Sequence, residues 1–111
     1  MIHIVRDRAT PDQTAAMLDT LGAYVKLAVD VRRGILAGGG EMHADCESSL
    51  LDDGSRQADV WGADWNPEIH EVEFQSLINI RRGQNNPSMK ILDPALQATI
   101  RQIVERLLGK P

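Results

Sequence analysis

The segment Glu41-Met42-His43-Ala44-Asp45-Cys46-Glu47 alternates strictly, with acidic or imidazole groups at odd positions and small or apolar groups at even ones. Side chains alternate across a strand, so a strand here would line Glu41, His43, Asp45 and Glu47 along one face. Such a row could ligate a divalent metal: hard cations take carboxylate oxygens, and zinc or manganese also accepts imidazole. A metal held there could activate water for hydrolysis. Two observations weigh against that chemistry. Residues two apart on a strand lie ~7 Å from each other, wide for one ion without help from neighbouring strands. The same alternation also describes the solvated face of an ordinary antiparallel sheet.

The elements that would position this row can be read along the chain. Ile2 to Val5 is a short β-rich run. Thr10-Pro11-Asp12-Gln13 combines an N-cap threonine, proline at the first helical position and glutamine at the capping-box position, opening a helix to Leu21 that Gly22 stops. Tyr24 to Val31 alternates as a strand and turns through Arg32-Arg33-Gly34 into Ile35-Leu36-Ala37. Gly38-Gly39-Gly40 follows, suited to a bulge, a bend or a close approach to the backbone. It lacks the helix start and the lysine of a phosphate-binding loop.

Asp53-Gly54 is the strongest short hairpin signal in the chain. With those residues as the loop, Cys46 faces Trp61, Ala44 faces Ala63, Met42 faces Trp65, and Asp64 lies opposite His43. A second turn near Asn66-Pro67-Glu68-Ile69-His70 returns the chain as Glu71 to Ile80. Both registers gather the tryptophans, Val72, Phe74 and Cys46 on one face, and His43, Asp45, Glu47, Arg56, Asp64 and Arg81 on the other. Asp93 and Pro94 then open a last helix, whose stripe Leu96, Ile100, Ile103, Val104, Leu107 and Leu108 ends at Gly109.

The expected fold is therefore α+β, in two layers. A mostly antiparallel sheet, made of a β-meander over 41–80 plus the N-terminal strands, carries two helices packed on one face. The 111 residues make a single domain. A net charge of −4 disfavours nucleic-acid binding. A lone cysteine excludes an internal disulfide, and no apolar run reaches the ~18 residues of a membrane span, so the expected location is the cytoplasm.

The runs Gly38-Gly39-Gly40-Glu41-Met42-His43-Ala44-Asp45-Cys46-Glu47, Gly54-Ser55-Arg56-Gln57 with Trp61-Gly62-Ala63-Asp64-Trp65, and Ile78-Asn79-Ile80-Arg81 with Asn86-Pro87-Ser88-Met89 lie in order between residues 38 and 89. They resemble the motifs of a small uncharacterised bacterial family, well represented in cyanobacteria. The resemblance implies no activity and carries no catalytic residue onto this sequence.

Two functional expectations follow from the residues. The first is a non-enzymatic binding or interaction module, meeting an identical subunit or a small partner through the open sheet face or an edge strand. No specific catalytic signature competes with it. The second is a metal-dependent hydrolase of phosphoester type. It would use a divalent ion on His43, Asp45, Glu47 and Asp64, with Arg56, Arg81, Arg82 and Asn85 as candidate anion contacts. Cys46, on the apolar face, is expected to act as a small hydrophobe.

Overall fold

A computed structural model describes residues 1–109. Five antiparallel strands form one open sheet: β1 (His3–Val5), β2 (Val25–Asp30), β3 (Ile35–Gly38), β4 (Val60–Asn66) and β5 (Glu71–Glu73). Their order across the sheet is β1-β3-β2-β4-β5. Three helices accompany them: α1 (Pro11–Asp19), α2 (His43–Asp52) and α3 (Pro94–Leu108). The α+β class and the antiparallel sheet are those expected.

Alternation along the strands sorts the core. Val25, Leu27 and Val29 of β2, Leu36 of β3, and Trp61, Ala63 and Trp65 of β4 all join one cluster. Met17 of α1 and the α3 stripe Ile100, Ile103, Val104, Leu107 and Leu108 close over it. Each of those stripe residues contributes on the order of 1.5–3 kcal/mol by leaving water. The helix starts are those the sequence encodes. At α1, Gln13 N–H donates to Thr10 Oγ1 at 3.2 Å, and Gln13 Oε1 accepts from Thr10 N–H at 3.0 Å. At α3, Ala95 N–H donates to Asp93 Oδ1 at 2.9 Å.

The expected meander over 41–80 is corrected at three places. Residues 43–52 form helix α2, not a strand. The buried pair Cys46 and Leu50, four residues apart, supplies the helical period that overrides the alternation of 41–47. Asp53-Gly54 closes that helix instead of turning a hairpin. Gly54, at φ +103°, donates to the Leu51 carbonyl at 3.1 Å, and Ser55 N–H donates to the Leu50 carbonyl at 2.9 Å. That pair of bonds is the Schellman ending of a helix. Finally, β5 stops at Glu73, and Leu77–Asn79 is a 3-10 turn.

These corrections change the layering. α1 and α3 cover one face as expected, but α2 covers the other, so the sheet lies between helices. Cys46 and Leu50 pack there on Ala28, Ile35, Ala37 and Val60, which removes Cys46 from the tryptophan face. The face expected to be open is thus roofed over β2, β3 and β4. The glycine run lets the chain pass beneath α1 and into α2: a Cβ on Gly39 (φ +98°) would sit 2.5 Å from the Met1 carbonyl oxygen. Among the described residues, no helix is long and apolar enough to cross a membrane.

Candidate functional site

His43 is the first residue of α2 and Glu47 lies one turn further on, so the two share a face of the helix. That face looks down on β4. His43 Nε2 donates to Asp64 Oδ1 at 2.8 Å, with both side chains mostly covered. Asp64 belongs to the α2 side of β4, between its cross-strand neighbours Lys26 and Glu73. Lys26 does not bond Asp64; its Nζ donates to the Glu41 carbonyl at 2.9 Å and so holds the entry to α2.

Glu47 meets Arg81, whose Nη2 lies 3.3 Å from Glu47 Oε2. Burial pushes the Glu47 carboxyl above its ordinary range, and Arg81 opposes that shift. Burial also lowers the Arg81 guanidinium, with Glu47 acting in the other sense. Arg81 is committed further. Its Nε donates to the Ile78 carbonyl at 3.0 Å, Nη1 to the Gln57 carbonyl at 2.6 Å, and Nη2 to the Val60 carbonyl. The guanidinium also stacks 4.5 Å from the centroid of the Trp61 ring.

The remaining sequence candidates do not join this arrangement. The turn of the helix carries Asp45 to an exposed position, away from His43 and Glu47. Arg56, Arg82 and Asn85 are exposed, and Asn85 takes a left-handed backbone at φ +58°. Among the described residues, no three His, Cys, Asp or Glu side chains come together as a metal-ligand set. Cys46 is fully buried, its thiol pushed up by burial, and its Sγ donates to the Lys26 carbonyl at 3.5 Å. A nucleophilic thiol needs the opposite environment, exposed and low in pKa.

Two buried asparagines escaped the sequence reading. Asn79 accepts from Gly62 N–H at 2.7 Å and donates through Nδ2 to the Gly62 carbonyl at 3.0 Å. Asn86 Nδ2 donates to the carbonyls of Asn79, Ser88 and Lys90 at 2.7, 2.9 and 3.1 Å, while its Oδ1 accepts from Leu92 N–H at 2.9 Å. The signal available in sequence is only the clustering of amides after Leu77; Asn79 reaches the distant Gly62, whereas the partners of Asn86 are backbone groups within seven residues of it. Together with Arg81 the two asparagines tie residues 76–92 down as a strap along the edge of β4 at Val60 and Gly62.

Two concavities border the site. One, of about 430 Å³, is lined by Glu47, Gln57, Leu77, Ile78, Ile80 and Arg81, with Gly83 and Gln84 at its rim. The other, of about 290 Å³, lies beyond Asp64 between Tyr24, Asn66, Ile69, Glu71 and Glu73. The arrangement can anchor a helix and a strap, and it presents apolar side chains beside them. It also holds a paired imidazole and carboxylate, His43 and Asp64.

No curated protein and no solved structure matches the chain. A family model described as "protein of unknown function (DUF5674)" matches residues 3–107, nearly the whole length. The strands, the strap and the helices, save Leu108 at the end of α3, fall within that match, and the chain belongs to this DUF5674 family.

Proposed function

We propose that the chain is a small binding module that acts through a rigid apolar surface on the strap, with a second copy of itself as partner. One observation carries this reading. Leu77, Ile80, Met89 and Leu92 are four of the seven exposed large hydrophobics among the described residues, and all lie between 77 and 92. Leu77, the most open of the four, is 67% exposed. Exposed apolar groups usually belong to mobile segments or are scattered singly. Here Asn79, Arg81 and Asn86 hold the backbone beneath them, so presenting them costs little ordering entropy on binding.

The charged groups support the same reading. His43, Asp64, Glu47 and Arg81 are satisfied by one another and by backbone carbonyls, which leaves them as scaffold. A single cysteine, free and buried, supports reading the module as one that works in a reducing compartment such as the cytoplasm.

Sedimentation of the purified protein across a concentration series tests the proposal. Reversible self-association is expected, weakened at least tenfold by Leu77→Asp or Ile80→Asp, since burying one unpaired carboxylate costs more than the ~1.4 kcal/mol that a factor of ten represents. A strict monomer at about 1 mM, or association indifferent to both substitutions, overturns it.

A further inference from the structure

Strand β4 pairs with β2 along nearly its whole length, from Val60 to Trp65. On its other side it pairs with β5 only at Asp64, Trp65 and Asn66. Continuing that register would put Gln75 opposite Gly62 and Leu77 opposite Val60. The chain does otherwise. Gln75 bridges to Lys90, Ser76 N–H donates to the Met89 carbonyl at 3.1 Å, and Ile91 N–H donates to the Phe74 carbonyl at 3.0 Å.

The vacated edge is nevertheless filled, by side chains. The two bonds between Asn79 and Gly62, one accepted and one donated, are those that a paired strand residue would exchange with it. The Val60 carbonyl, the next outward acceptor, takes the Arg81 guanidinium. Contact is close enough to exclude any side chain at Gly62. A Cβ there would lie 2.5 Å from Ser76 Cβ and 2.7 Å from Ser76 Oγ.

A side-chain cap differs from a sixth strand in one respect that matters. Another strand would satisfy the same groups but carry the unpaired edge one position outward. A carboxamide and a guanidinium end the ladder. The edge they end is uncharged over Val60-Trp61-Gly62-Ala63, and such a stretch pairs with its own copy without opposing like charges.

We propose that residues 76–92 are an edge guard. Asn79 and Arg81 hold the Val60–Ala63 edge of β4 closed, and release of the strap opens it to antiparallel pairing with β4 of a second copy. Asn86 is the latch, because its hydrogen bonds tie the two arms of the strap to each other and none of them goes to β4. This pairing is separate from the apolar surface proposed above, which lies on the outside of the same strap.

The experiment uses the full chain carrying Leu77→Asp, so that the apolar surface does not contribute. Amide hydrogen exchange at Gly62 and sedimentation are measured with and without Asn79→Ala. The guard predicts that Asn79→Ala speeds Gly62 exchange at least tenfold, leaves the Leu27 to Val29 amides unchanged, and produces concentration-dependent association with an intermolecular β-sheet infrared band. Unchanged Gly62 exchange overturns the proposal, and so does a variant that exposes Gly62 yet stays monomeric. Should Asn79→Ala fail to fold, the unsubstituted chain decides under low denaturant. Gly62 exchanging through an opening smaller than global unfolding, shared with Asn86, supports the guard. Gly62 exchanging only with global unfolding overturns it.

Discussion

His43, the first residue of α2, holds Asp64 of β4 at 2.8 Å, and this bond fixes the start of that helix on the sheet. The helix begins without a side-chain cap, because its N-cap residue is Met42. The His43 contact therefore substitutes a tertiary anchor for a local one. Removing either partner is expected to destabilise the protein by about 1 kcal/mol, within the usual range for one hydrogen bond. A double-mutant cycle with His43→Ala and Asp64→Ala, read by urea denaturation, should give a coupling of roughly 0.5–1.5 kcal/mol. Additive single effects would show that the contact does not hold the helix.

Arg81 should be the most costly side chain of the site to remove. It donates to three backbone carbonyls, pairs with Glu47 and covers Trp61. Arg81→Ala leaves a largely buried carboxylate and two partly buried carbonyls, of Ile78 and Val60, without their donor, a loss expected at about 3 kcal/mol. Arg81→Lys should recover little of it, because a single ammonium cannot reproduce the fork that spans Gln57, Val60 and Glu47. Glu47→Gln should cost much less than Arg81→Ala, since burial already favours the neutral form of Glu47. Thermal melts of the three variants give the order directly.

Acid stability turns on a different carboxylate. Asp53, which caps the end of α2, takes Arg6 at 2.6 Å through one oxygen and Arg33 at 2.8 Å through the other. The Arg6 hydrogen bond, then that of Arg33, holds its carboxyl down at about 2, against an ordinary 3.8. A depressed folded-state value stabilises above the ordinary value and loses that contribution as pH falls toward 2. Stability should therefore decline between about pH 4 and pH 2, and Asp53→Asn should flatten this part of the curve. Glu47 acts in the opposite sense. Its raised value makes its contribution largest below the ordinary glutamate range and smaller as pH rises through the raised value.

The legible parts of the fold are those whose signals are complete within a few residues. The capping box of Thr10 and Gln13, and the Asp93-Pro94 start with the α3 stripe, locate α1 and α3 nearly to the residue. The valine-rich alternation of β2 does the same for a central strand. Helix α2 was not legible, because Met42 gives no cap and the odd-even pattern of 41–47 imitates a strand. Asp53-Gly54 compounded this. A two-residue hairpin turn and a Schellman ending both demand a positive φ from glycine, and local sequence does not tell them apart. His43 and Asp64 are neighbours, as the supposed hairpin would have made them, but a helix laid across a strand brings them together. Asn79 is not legible because its partner Gly62 lies 17 residues away in another element, and Asn86 because its nearby partners sit in an irregular segment that no periodicity describes.

The two crowded and uncrowded glycines around α2 separate backbone strain from packing. Gly54 has a left-handed backbone at φ +103°, and nothing lies within 4 Å of where its Cβ would be. Gly54→Ala should then cost about 1 kcal/mol from conformation alone, and Gly54→Asn less, since asparagine tolerates that region. Gly39 has a similar φ of +98°, but its Cβ would lie 2.5 Å from the Met1 carbonyl and 3.0 Å from Met17 Cα. Backbone atoms do not swing aside as a side-chain tip does, so Gly39→Ala carries the same strain plus displacement of β1 or α1. A loss at least ~2 kcal/mol beyond that of Gly54→Ala is expected in denaturant melts, of the size overpacking usually brings. Equal losses at the two positions would mean that the passage between Met1 and Met17 is loose, and that the glycine run serves flexibility instead of close packing.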